Sequence, residues 1–451
     1  MASLTFYGGA GEIGGNKILL QDKNVKIYLD FGQSFDFGED FFYNYLQPRT
    51  ANGMEVYFEF GMMPKTSKLY SREMLELSSL KYHKPDVNAI LISHSHSDHT
   101  GHLSVIDETI PIYLGRCTKT IIQGYKRLYP GMLDLSKLNT IEFKTNDKIK
   151  IKHLEITPIH VEHSVPGAYG FIIKTSKGNI VYTGDLRMHG PRADLTKEFI
   201  AKAKASKPIA LLCEGTRMQA DVEHNYTEKE VENKVNEIVK QSKGTVFGHF
   251  AMTNVDRFMS FYNSAVRNKR IMVITTPVAY MLENLKQHIG ILPDVHKDKS
   301  LKVYFRLSKS CKFCEKDYAV WERPYMDNMI TYNEINASQK KYVMHLGFYK
   351  LMELVYIQPK NADFIYSSSE HFYEGEENET ERTIWENWMK HFGIQFHKAH
   401  CSGHADKAAL TEVITKINPK LLIPIHTSAP DEFKKIHKNV ILPEKNKKIE
   451  L

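Results

Sequence analysis

The stretch Leu91-Ile92-Ser93-His94-Ser95-His96-Ser97-Asp98-His99 limits what this chain can be more than any other. Four groups able to ligate a metal, His94, His96, Asp98 and His99, fall within six residues. Before them runs Val87-Asn88-Ala89-Ile90-Leu91-Ile92, short and apolar, which reads as a buried strand. The ligands therefore sit on the turn that leaves a rigid element. Alternate side chains of an extended segment share a face, so His94 and His96 can grip one ion together. Past the bend, Asp98 and His99 point elsewhere and can hold a second. Imidazole and carboxylate suit zinc, with manganese as the alternative. A solvated loop merely rich in histidine needs neither this order nor a strand in front of it.

A chain of 451 residues has room for two or three domains. Its 42% hydrophobic content supports ordinary cores and argues against a largely disordered chain. A net charge of +7 admits a polyanionic partner without requiring one. The cysteines, 117, 213, 311, 314 and 401, are few, odd in number and scattered. That pattern disfavours a disulfide framework and points to a reducing, cytoplasmic setting. The N-terminus shows no signal peptide, and no apolar run approaches a membrane span.

Leu4–Tyr7 and Lys17–Leu20 read as strands around the glycine-rich Gly8–Asn16. A dinucleotide loop would need a helix after those glycines, so a turn between strands is expected. A further strand, Val25–Leu29, ends on Asp30. Residues 37–82 interrupt the run to the metal motif, either as a lid or groove wall or as surface decoration. Two histidines, His160 and His163, lie in one segment, and spacing does not choose between them. Strands Asn179–Tyr182 and Ile209–Cys213 end at Asp185 and Glu214. From 218 to 398 strands and amphipathic helices alternate, as in a parallel α/β domain. Within it, Ser367, Ser368 and Ser369 follow the strand Phe364–Tyr366, where phosphate contacts or helix capping are both open. Cys311 and Cys314 form a lone Cys-x-x-Cys, half of a closed zinc site, and read as free thiols.

His-x-His-x-Asp-His after a strand resembles the signature of the metallo-β-lactamase fold. The later motifs narrow the likeness to its β-CASP nuclease branch, nearest the ribonuclease J-like group and more distantly the pre-mRNA 3′-end cleavage nuclease. The resemblance implies a four-layer αβ/βα sandwich, residues 1–217 and 399–451, with a β-CASP domain inserted at 218–398. It implies one ion on His94, His96 and His163, another on Asp98, His99 and His426, and Asp185 bridging them. His163 is chosen over His160 by its His-Ser-x-Pro context. Asp30 would orient a ligand, Glu214 would stand beside the site, and His404, in Ser402-Gly403-His404, would assist the leaving oxygen. Ser367–Ser369, Ser402 and Gly403 would meet substrate. Two zinc ions that activate water against a phosphodiester imply a ribonuclease acting on single-stranded RNA, as 5′ exonuclease, endonuclease or both. A DNA nuclease or a small-ester hydrolase is the rival. After His426 the family often continues Gly-Glu, whereas Thr427-Ser428 stand here, which puts local phosphate contacts in doubt. No membrane partner is implied, and the likeness leaves room for a homodimer.

Overall fold

The computed structural model describes residues 2–35, 41–42, 46, 48–219, 225–369 and 379–451. The chain forms two compact units. The first comprises Met1–Met188, Arg192–Glu223 and Gly403–Leu451, and the second His189–Pro191 and His224–Ser402.

The first unit holds two sheets. One orders its strands Lys448–Glu450, Ala2–Gly8, Lys17–Asp22, Val25–Leu29, Ala89–Leu91, Ile112–Gly115 and Thr140–Phe143. The other runs Leu422–Ile425, Ala210–Glu214, Asn179–Tyr182, Ala168–Lys174, Leu154–Val161 and Ile149–Ile151. Strand periodicity of two sorts their side chains into layers. Leu29 and Leu91 of the first sheet meet Phe171, Ile180 and Leu212 of the second in the central core. Their neighbours Tyr28 and Ile90 face the opposite way, into a cluster with Ile122 of the helix Arg116–Leu128. Val181 and Leu211 likewise turn outward to Phe199 and Ile200 of the helix Ala193–Ala205 and to Leu410 and Val413 of Lys407–Ile417. Helix, sheet, sheet and helix make the four-layer αβ/βα sandwich expected.

The described residues of the stretch 37–82 contribute to this packing. Tyr57 and Phe58 of the helix Glu55–Glu59, and Leu75 of Arg72–Glu76, are buried in the same cluster as Tyr28 and Ile90. Residues 37–40, 43–45 and 47 of this stretch lie outside the described residues. After the metal motif a one-turn helix covers Ser97–Thr100, and a 3-10 turn follows at Leu103–Val105.

The second unit is one sheet in the order Met329–Ile330, Leu301–Tyr304, Ile271–Thr275, Tyr342–His345, Val246–His249, Asp363–Tyr366 and Gln395–Lys398. Every pairing in it is parallel. Parallel strands need crossovers, and helices Val255–Arg267 and Thr276–Lys286 supply two of them. Phe258 and Phe261 of the first helix are buried, whereas Val266 is 41% exposed. No described helix is long and apolar enough to cross a membrane.

Candidate metal centre

The buried strand Ala89–Leu91 delivers the His94–His99 turn at its carboxyl end, within the first unit. His96 and Asp98 flank the start of the one-turn helix Ser97–Thr100, so the backbone bends between the two ligand pairs. The turn is held from behind by a close backbone approach. Phe31 N–H donates to His99 O at 2.9 Å and Gln33 N–H to Ser97 O at 3.0 Å. Only glycine fits between them, because a Cβ on Gly32 would lie 1.6 Å from Asp98 O.

Three groups of ligating atoms converge: His94, His96, His163 and Asp185; Asp98, His99, Asp185 and His426; and Asp185, Glu214 and His404. Within each group the ligating atoms lie within 4.8 Å of one another. His94 Nε2 is 3.0 Å from His96 Nδ1, which is 3.2 Å from His163 Nε2. On the other side His426 Nε2 is 2.9 Å from Asp98 Oδ2, and His99 Nε2 is 3.1 Å from Asp185 Oδ2. Ligand atoms about 2.0–2.1 Å from a tetrahedral ion stand roughly 3.3 Å apart, so these spacings suit shared cations. Asp185 Oδ1 is buried with no hydrogen-bond partner, an acceptor fit for a cation. Imidazole and carboxylate of this kind bind divalent metal.

Surrounding groups set which ring nitrogen faces inward. Asp30 Oδ2 accepts from His99 Nδ1 at 2.7 Å, and Gly403 O accepts from His163 Nδ1 at 2.7 Å. Ser93 Oγ stands 3.1 Å from His94 Nδ1 and donates to Asp30 Oδ2 at 2.7 Å. Thr216 Oγ1 lies 2.8 Å from His426 Nδ1. With Nδ1 engaged outside, Nε2 of these four rings is the nitrogen turned to the centre. Asp30 and His426, each directly after a strand, adopt left-handed backbone with φ of 56° and 51°. Such strain in non-glycine residues collects at functional sites.

Charge is divided unevenly. Burial pushes His94 and His163 well below the ordinary imidazole value, and neighbouring histidines add to it. Burial also takes His96 down to about 4, against Asp98 and Asp185. For His99 and His426 burial acts the same way but is outweighed by Asp185 and Asp98, and His426 rises to about 9. Burial would raise Asp98 and Asp185, yet His99 and His426 hold both well below the usual carboxylate range. His404 Nδ1 lies 3.3 Å from both oxygens of buried Glu214, whose charge outweighs desolvation and raises the imidazole.

The geometry thus separates the two histidines that spacing left open: His163 joins the cluster, while His160 stacks on Tyr169 at 5.0 Å. His102 packs edge-on against Tyr57. Cys213 is buried in the outer apolar layer. Ser367 is buried, accepting from Arg257 and donating to Ala399 O, whereas Ser368 and Ser369 are half-exposed. Ser402 O meets His189 Nε2 at 2.8 Å, and Gly403, expected at the substrate, offers its carbonyl to His163. Cys311 and Cys314 belong to no metal-holding group among the described residues. Ser93, Thr216 and Tyr182, whose hydroxyl donates to Asp30 at 2.5 Å, escaped the sequence reading. Ser93 carries a local signal, its place between strand and first ligand; Tyr182 carries none short of the fold.

A description of the β-lactamase superfamily domain matches residues 71–240. The chain is 24% identical over 354 residues to a ribonuclease J of Mycoplasma pneumoniae, covering 75% of this chain and 57% of that protein. A ribonuclease J of Thermus thermophilus is 23% identical over 93% of this chain and 67% of its own length. One of Helicobacter pylori is 21% identical over 94% of this chain and 55% of its own. A crystal structure of a protein of unknown function from Enterococcus faecalis has the same fold, with a TM-score of 0.78, 22% identity and 99% of each chain covered. Residues 71–240 thus match a β-lactamase superfamily domain, and the chain is similar in sequence to ribonuclease J proteins along most of its length, spanning about 55–67% of theirs.

Proposed function

We propose that this chain is a metal-dependent ribonuclease that hydrolyses RNA phosphodiester bonds. The reading rests on one observation above the others: two ligand groups meet at a single shared carboxylate, Asp185. His94, His96 and His163 hold one divalent ion, Asp98, His99 and His426 a second, with zinc preferred and manganese the alternative. Bound there, such ions polarise phosphoryl oxygens and bring the pKa of water near neutrality. The protein's own residues do the rest. Asp30, through His99, keeps a lone pair aimed at the centre. The Glu214 carboxylate beside it raises the His404 imidazole, and His404 passes its Nε2 proton to the departing oxygen. Ser368 and Ser369 contact the RNA backbone from a strand end in the inserted unit. Few, odd and scattered cysteines suit a reducing cytoplasm.

Purified protein incubated with 5′-phosphorylated, 5′-triphosphorylated and circular RNA, with and without chelator, tests this. Chelator-sensitive cutting of the circle identifies an endonuclease, and mononucleotides released from the phosphorylated end identify a 5′ exonuclease. Single-stranded DNA of matched sequence cut faster than RNA would replace the proposal with a DNA nuclease. Intact RNA together with turnover of a thioester or lactone would replace it with a small-ester hydrolase.

A further inference from the structure

The glycine-rich stretch Gly8–Asn16 joins the strands Ala2–Gly8 and Lys17–Asp22. It is no dinucleotide loop, since a strand and not a helix follows it. Its contacts go instead to one half of the metal centre.

Asn16 N–H donates to Asp98 O at 3.1 Å, and Gly9 O accepts from His426 N–H at 2.8 Å. Gly14 packs on Asp98 itself: its φ is +80°, and a Cβ there would lie 2.9 Å from Asp98 Cβ. Asn16 Nδ2 donates to Tyr182 Oη at 3.3 Å, and that hydroxyl donates to Asp30, the partner of His99. The loop thus touches Asp98 and His426 and reaches His99 through two side chains. Among the described residues, no hydrogen bond runs from residues 8–17 to His94, His96 or His163.

The loop is fastened by a buried amine. Lys17 is 2% exposed, and its Nζ donates to Gly15 O at 3.1 Å and to Gly32 O at 2.5 Å. Gly32 N–H in turn donates to Asn16 O at 3.0 Å. Gly32 lies between Phe31 and Gln33, whose N–H groups hold the carbonyls of His99 and Ser97. Lys17 therefore ties the glycine loop to the segment that grips the ligand turn. Glu12 closes the loop from its outer side, with Oε1 accepting from Gly9 N–H at 3.0 Å and Oε2 from Ser34 Oγ at 2.8 Å. Burial lowers the Lys17 ammonium to about 7, opposed by Glu12 and helped by Lys445. A buried ammonium is costly, and an apolar side chain would fill the space without that cost. What the lysine adds is a pair of donors to carbonyls on two separate segments.

We propose that the Gly8–Asn16 loop, fastened by Lys17, is the positioning element for the ion of Asp98, His99 and His426 alone. Lys17 then sets the affinity of that ion and leaves the ion of His94, His96 and His163 untouched, so the two are taken up as separable events. The inference rests on the two-ion reading of the centre. Outer partners of metal ligands are worth about 10–100-fold in affinity, because they fix the direction in which the ligand atom points.

Native mass spectrometry of the full chain at buffered free zinc counts bound ions directly and needs no turnover. We expect the unmodified protein to take up two ions in two steps. His163→Ala, which removes a ligand of the other ion, marks that ion's step by weakening it. Lys17→Met should weaken the remaining step roughly 10–100-fold and leave the marked one within threefold. Glu12→Ala, at a partly exposed position, should weaken the same step about fivefold, as the loss of one hydrogen bond does. It decides the matter where Lys17→Met does not fold. Equal weakening of both steps in a folded variant overturns the proposal, since the loop would then serve the fold as a whole. So does an Asp98-side step that is unchanged within twofold or tightened, because repulsion between ammonium and cation would then outweigh placement. A single ion on the unmodified protein overturns the two-ion reading itself, and the proposal with it, and is visible before any variant is made.

Discussion

Replacing Asp30 with asparagine changes one atom and should remove one ligand. Asp30 Oδ1 accepts from Ser93 N–H at 2.7 Å, while Oδ2 accepts from Ser93 Oγ at 2.7 Å, Tyr182 Oη at 2.5 Å and His99 Nδ1 at 2.7 Å. All four groups are fully buried or nearly so. Asparagine can keep the first bond only by placing its NH2 where three donors converge. The two hydroxyls can rotate to accept. His99 can accept only by moving its proton to Nε2, the atom 3.1 Å from Asp185 that would otherwise hold an ion. Losing a charge-assisted hydrogen bond costs about 1.5–3 kcal/mol, and outer partners of metal ligands are worth about 10–100-fold in affinity. Asp30→Asn should therefore bind metal roughly 10–100-fold more weakly. Competition against a chromophoric chelator at pH 7.5 measures this, with circular dichroism to verify the fold. Affinity within threefold of the unmodified protein, in a folded variant, would refute the claim that Asp30 sets the ring's tautomer.

Metal uptake should release protons, because His99 and His426 are held protonated by Asp185 and Asp98 in the metal-free protein. A raised pKa stabilises the metal-free fold below the ordinary imidazole value, and that stabilisation fades as pH climbs through about 9. Affinity should thus rise with pH up to that point, with about two protons released per protein near pH 7; calorimetry in buffers of different ionisation enthalpy reads the number, and zero contradicts the charge assignment. Arg257 is fully buried, with Nη2 3.1 Å and Nε 3.2 Å from the two Glu228 oxygens. Arg257→Met should cost about 3–5 kcal/mol of unfolding free energy, and Arg257→Met with Glu228→Leu distinctly less; equal losses in denaturant titrations would count against a desolvated ion pair. Gly32→Ala should cost more than about 4 kcal/mol or prevent folding, since its Cβ would stand 1.6 Å from Asp98 O; a soluble variant with unchanged melting temperature would show that the contact yields.

What the sequence made legible was local. His94, His96, Asp98 and His99 are adjacent in the chain, so one strand and one turn place them together. Strands with every neighbour buried, such as Ala210–Glu214, show plain apolar runs, and these located Asp185 and Glu214 at strand ends. The choice between His160 and His163 was beyond spacing. His160 is the last but one residue of the strand Leu154–Val161 and leans on Tyr169 of the partner strand, whereas His163 lies past the strand end, where the chain turns toward the centre. The role of Tyr182 was hidden because it depends on register. It ends the strand Asn179–Tyr182 in the second sheet, and its hydroxyl crosses the central core to Asp30 of the first. A pairing across sheets leaves no trace in either segment. Ser367 shows the opposite failure: its type suits phosphate, but the burial of Arg257 had already claimed its hydroxyl.

The inventory of charge argues further for a phosphate ester than the fold does. The proposed ligands bring two carboxylates, Asp98 and Asp185, and five imidazoles that are neutral when they coordinate. Two divalent ions would add four positive charges, which leaves the centre with a surplus of two. Asp30, facing His99 from outside, brings the surplus down to one, and Glu214 lies against His404, whose imidazole it raises. Removing the surplus would take further acids, and no other carboxylate joins the three groups among the described residues. A cationic centre in a buried setting attracts an anion strongly and a neutral thioester or lactone far less. Adding an acid should therefore separate the two chemistries. Ser428→Glu, two residues past His426 at the place where the glutamate of a Gly-Glu pair would fall, should lower metal-dependent affinity for a phosphodiester while leaving metal affinity intact or raised. Equal loss of phosphodiester and neutral-ester binding would mean that net charge plays no part in substrate choice.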